Sequence, residues 1–75
     1  MKNMENKIIK EDFIKTRIQK YEDEIRGIES EIEMFEFNKK KSKDPEYRLF
    51  CDYKIDVRRC HIEELMECMN ELKEN

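Results

Sequence analysis

Between Ile14 and Phe35 the apolar residues Ile14, Ile18, Tyr21, Ile25, Ile28, Ile32 and Phe35 recur at alternating steps of four and three. That spacing puts one apolar stripe on a helix, with a heptad-like seam that buries against another helix. A second stripe, Cys51, Ile55, Arg58, Ile62, Leu65, Met69 and Leu72, repeats the alternation. Arg58 is its discordant member, a long side chain whose stem can pack while its head reaches solvent or an acidic partner.

Between the stripes stands Asp44-Pro45-Glu46. Asp is a good N-cap, Pro suits the first helical position, and an acidic residue in the first turn complements the helix dipole. The pattern predicts a single domain over residues 1–75: helix one over about 13–37, a turn at 38–44 with Asn38 as the end signal, and helix two over about 45–72. Ile8, Ile9 and Phe13 do not continue the first stripe, so residues 1–12 read as a short separate helix, a frayed extension or a partly ordered tail.

Charge sets the pairing direction. Residues 1–20 carry six basic and three acidic side chains, net +3, and residues 21–37 one basic and seven acidic, net -6. Residues 38–61 carry eight basic and four acidic, net +4, and residues 62–75 one basic and five acidic, net -4. Folding the chain back near Lys39–Lys43 sets opposite signs beside each other along the whole length, which predicts an all-α antiparallel hairpin, coiled-coil-like.

Composition narrows the function classes. One Gly, one Pro, no Trp and 47% charged residues suit long helices. Two helices in 75 residues offer little room for a concave, water-excluding pocket, so the expectation is a non-enzymatic chain without cofactor. No run approaches the roughly 18 apolar residues of a membrane span. Three cysteines fit a reducing cytoplasm better than a secreted disulfide framework. Cys51, Cys60, His61 and Cys68 lack the two-to-four-residue spacing of a structural zinc site, and no metal is expected.

Helix two has more apolar residues than its seam uses. Phe50, Tyr53, Val57 and Cys60 form another stripe opposite Ile55 and Ile62, and Met34 and Phe37 leave the first seam at its end. With Tyr47 and Leu49 nearby, these residues are expected to form an apolar patch at the turn end, where two hairpins join as a homodimeric helical bundle or a partner protein docks. Glu22, Asp23, Glu29, Glu31, Glu33 and Glu36 form an acidic face suited to masking a basic surface of a larger enzyme or complex. The functional expectation is therefore a small cytoplasmic regulator or inhibitor acting by protein–protein binding. The alternative is a nucleic-acid accessory role for Lys39, Lys40, Lys41 and Lys43, with Arg48, Arg58 and Arg59 alongside, which the sequence pI of about 5.3 disfavours.

Over about Ile25–Ile62, the hairpin with a short turn leading into Asp44-Pro45-Glu46 resembles the Spo0E-like aspartyl-phosphate phosphatases of sporulating bacteria. The family's Ser-Gln-Glu-Leu-Asp run falls on Asp52-Tyr53-Lys54-Ile55-Asp56. Only the closing apolar-Asp pair matches, so the resemblance implies shared hairpin architecture, and the activity is not carried over to Asp56.

Overall fold

The structure, a computed structural model, describes residues Lys2 to Glu74, with side chains from Lys10 onward. It contains two helices, α1 (Lys2–Lys41) and α2 (Pro45–Glu74), and no strand among the described residues. They lie side by side in a rod whose principal extents are 65 × 15 × 11 Å.

The two apolar stripes meet as their spacing predicts. Ile25, Ile28, Ile32, Ile55 and Leu65 form the buried core, with Tyr21, Phe35, Ile62 and Met69 packed against it. Cys51 is fully buried at the turn end. At the other end Leu72 and Lys73 sit beside Glu11, Ile14, Lys15 and Ile18, which sets the antiparallel register over the whole of α2. Arg58 is accommodated in the seam by three contacts: its Nε donates to Glu31 Oε2, its Nη1 donates to the Lys54 carbonyl at 3.3 Å, and its guanidinium lies 4.9 Å from the Phe35 ring centroid. The stem packs and the head finds an acidic partner on the other helix.

Helix one differs from the expected 13–37 at both ends. It continues through Asn38 to Lys41, so the connection shrinks from 38–44 to Ser42, Lys43 and Asp44. The heptad step explains the extension. Four residues beyond Phe35, Lys39 still faces α2, where it forms an ion pair with Asp52. Lys39, Lys40 and Lys41 in the last turn also complement the negative end of the helix dipole. The helix closes where Ser42 N donates to the carbonyls of Asn38 (3.1 Å) and Lys39 (3.3 Å).

At its other end the α1 backbone is helical from Lys2, without a break between the first dozen residues and the rest. The side chains of Ile8 and Ile9 lie outside the described residues, whereas Phe13 is exposed. Because α1 has 40 residues and α2 has 30, the start of α1 runs past the end of α2.

The start of α2 follows the expected chemistry. Asp44 Oδ1 accepts from Glu46 N at 3.1 Å, and the Asp44 carbonyl accepts from Arg48 N at 3.0 Å. Asp44 N in turn donates to Ser42 Oγ at 3.1 Å. Asp44→Ala removes the cap and is expected to cost about 1 kcal/mol, lowering the thermal midpoint by about 4–8 °C. A thermal melt followed by circular dichroism reads this directly, and an unchanged midpoint contradicts the cap.

Candidate functional site

A hairpin of two helices has two long sides, flanking the plane that contains both helix axes, as well as the outer back of each helix. Rotating by about 100° per residue away from the core stripe assigns every exposed residue to one of these surfaces. On one side lie Met34, Tyr47, Phe50 and Val57, together with the exposed edge of Phe35. Four of the exposed large apolar side chains among the described residues are grouped here.

Phe50 stands at its centre and remains 46% exposed. Its ring meets Phe35 edge-on at 6.4 Å and 74°, and lies 6.1 Å from the Tyr47 ring. Lys54 Nζ sits 5.3 Å from the Phe50 centroid, and Arg58 covers Phe35, so each cation shields one face of an aromatic ring. Further along the same side a groove between the helices is lined by Glu24, Gly27, Ile28 and Glu31 of α1 and by Val57, Arg58 and His61 of α2. A Cβ built on Gly27 meets nothing within 4 Å, so the groove is open there to an incoming side chain.

The eight residues expected to form one patch at the turn end do belong to the half of the rod near the turn, but they are distributed around it. Met34, Tyr47, Phe50 and Val57 share the side just described. Phe37 projects from the back of α1, where Lys41 Nζ lies 4.4 Å from its ring centroid. Tyr53 and Cys60 project from the back of α2, and both are exposed. Leu49 lies on the opposite side, beside Lys39, Pro45, Arg48 and Asp52. The physical reason is the 3.6-residue repeat: residues three or four apart share a stripe, but which long side that stripe faces depends on where the second helix sits.

The acidic candidates also divide. Asp23 pairs with Arg26 on its own helix, while Glu31 pairs with Arg58 and Glu36 with Arg59 across the hairpin, the last at 3.1 Å. Glu22, Glu29 and Glu33 are exposed on the side opposite Phe50, with Arg26 nearby. The basic candidates of the turn are partly engaged as well: Lys39 binds Asp52, Lys41 lies over Phe37, Arg58 binds Glu31 and Arg59 binds Glu36. Asp56 shares a mixed-charge groove with Glu36, Lys39, Lys40, Arg48, Asp52 and Arg59.

Cys51 is buried whereas Cys60 and Cys68 are exposed, and all three are free thiols. Among the described residues no group of three His, Cys, Asp or Glu side chains converges on a point where a metal ion could sit. No helix among them is long and apolar enough to cross a membrane.

One ionisable group on the apolar side is displaced from its ordinary range. The Cys51 thiol beside it, reinforced by desolvation, raises the Tyr47 phenol above its usual value of 10. A group raised on folding stabilises the fold fully below its unfolded value, and that contribution is lost as pH rises through the folded value. Stability is therefore expected to fall as pH is taken above 10, and the Tyr47→Phe variant, which cannot ionise there, is expected to lose less. Urea unfolding of both proteins on either side of pH 10 measures the difference; identical slopes would contradict the assignment.

Phe35, Gly27 and His61 join the site without having been singled out for it. Phe35 belongs to the first core stripe by its spacing, and His61 entered the sequence reading only beside the cysteines that lack zinc-site spacing. Only the groove between the paired helices brings Gly27 and His61 to the same surface. Comparison with family models, curated proteins and solved structures finds no match for this chain.

Proposed function

We propose that this protein is a non-enzymatic helical interaction module. Its hairpins associate in pairs through the Phe50 side, forming a helical bundle, and the charged side opposite meets a larger target whose activity the module regulates by covering a surface. The observation that carries this reading is the aromatic cluster itself: Phe35, Tyr47 and Phe50 stand together, incompletely covered, with Met34 and Val57 exposed on neighbouring turns. Contiguous exposed apolar surface of this kind marks a binding site, and aromatic residues are its usual anchors.

Surface area supports association. The chain exposes 6395 Å², whereas a compact monomer of 9.4 kDa exposes about 5,000 Å². The surplus of about 1,400 Å² exceeds the roughly 800 Å² per partner that a stable interface buries. On the opposite side, Glu22, Glu29 and Glu33 present carboxylates suited to a basic surface of the target, with close charge pairs setting orientation more than affinity.

Solution mass by light scattering over a wide concentration range tests the reading. The expected result is twice the 9.4 kDa chain mass, with dissociation on dilution. A folded monomer throughout overturns the self-association.

A further inference from the structure

We infer that the second copy docks with its rod parallel to the first, turn end beside turn end, about a two-fold axis that runs along the rods and sets α1 of one hairpin against α2 of the other. This rests on the self-association proposed above and adds its geometry. Three residue pairs outside the core stripes carry it.

On the Phe50 side, Lys20, Gly27 and Met34 succeed one another every seven residues along α1, and Phe50, Val57 and Glu64 do the same along α2. In the antiparallel register Lys20 is level with Glu64, Gly27 with Val57, and Met34 with Phe50. Each pair is complementary: a cation with an anion, the smallest residue with a branched one, and two large apolar side chains. Yet these positions lie outside the core stripes, about 100–140° around their helices on the exposed side of the seam, where Phe50 also meets Phe35 and where Gly27 and Val57 line the groove. Their matching is therefore not required by the fold of a single hairpin. An axis parallel to the rods turns α2 of a second copy to face α1 at the same level, and all three pairs then meet, twice each by symmetry.

The row next to them agrees. Glu24, Glu31 and Asn38 of α1 stand level with His61, Lys54 and Tyr47 of α2. Across the proposed interface the first two become acid beside imidazole and acid beside ammonium, while Glu31 also keeps Arg58 of its own chain. Val57 of the second copy would enter the groove over Gly27, the place where an added side chain meets open space. The opposite orientation, with turn ends pointing apart, overlays the aromatic surfaces only over the turn half of each rod. It also leaves Lys20 beyond the end of the other molecule.

A reciprocal charge exchange with a distance measurement tests the arrangement. Lys20 and Glu64 are both exposed, so Lys20→Glu and Glu64→Lys are expected to keep wild-type helicity, each weakening the homodimer about tenfold. An equimolar mixture of the two variants is expected to recover wild-type affinity as a heterodimer, because only in trans does each altered residue meet its opposite. Spin labels on Lys73→Cys, in a Cys60→Ser and Cys68→Ser background, are expected to lie within about 35 Å of each other; with turn ends apart the spacing exceeds about 50 Å. A dimer indifferent to both charge changes, with labels at the longer spacing, overturns this geometry and leaves self-association standing. A folded wild-type monomer at every concentration overturns both.

Discussion

Ile55→Asp is expected to leave the chain without a cooperative folded state. Ile55 is 5% exposed, within the cluster formed by Ile25, Ile28, Ile32 and Leu65. Truncating a side chain in such a position costs about 2–5 kcal/mol, and an unpaired carboxylate in the same place adds its desolvation. The total stability of a 75-residue chain is on the order of 4–11 kcal/mol, so the two losses together remove most or all of it. Circular dichroism should show low helicity at 25 °C and no sigmoidal melt. Val57→Asp, two residues away but on an exposed position, is the control and should stay helical. Cooperative melting of Ile55→Asp within a few degrees of wild type would falsify the packing described here.

Phe50→Asp is expected to do the reverse, leaving the hairpin folded while weakening its self-association by a hundredfold or more. Burying a Phe side chain is worth about 1.5–3 kcal/mol, and a two-fold interface loses it twice. The introduced carboxylate faces Met34 of the second copy in the proposed arrangement, which adds a desolvation cost in each half. Light scattering alongside circular dichroism separates the two effects: helicity retained, mass reduced to one chain. A variant with undiminished mass places the contact elsewhere on the rod. In that case the Phe50 side stays free and becomes the surface with which to capture a protein target.

The two predictions act on adjacent turns of one helix and differ because of a face, not a sequence distance. Ile55 and Phe50 are both apolar residues of α2 in stripes with the same alternating steps. One stripe meets Ile28 and Ile32, and the other meets solvent. Pattern alone identified both stripes and assigned the more complete one to the hairpin core, which the buried cluster shows. It also located the start of α2, since capping by Asp44 and Pro45 is a local interaction involving residues adjacent in the chain. The end of α1 lies at Lys41, beyond Asn38, because it is not decided locally. Asn38 is a reasonable terminator in isolation, yet Lys39 gains Asp52 of the other helix by continuing. Arg58 is the converse case: its place in an apolar seam was anomalous on pattern, and Glu31 and Phe35, both from α1, make it tolerable.

What the sequence determined by itself is therefore what nearest neighbours and a 3.6-residue repeat can encode: two long helices, their apolar stripes, the turn between them and the charge matching that favours an antiparallel partner. What only the tertiary structure decided is how the remaining surface is divided. Phe37, Tyr53 and Cys60 go to the backs of the helices, Leu49 to one side, and Met34, Tyr47, Phe50 and Val57 to the other, beside Gly27 and His61. The reason is that a stripe records an angle about its own helix axis, whereas the side it faces is defined only once a second helix lies beside it in a particular register.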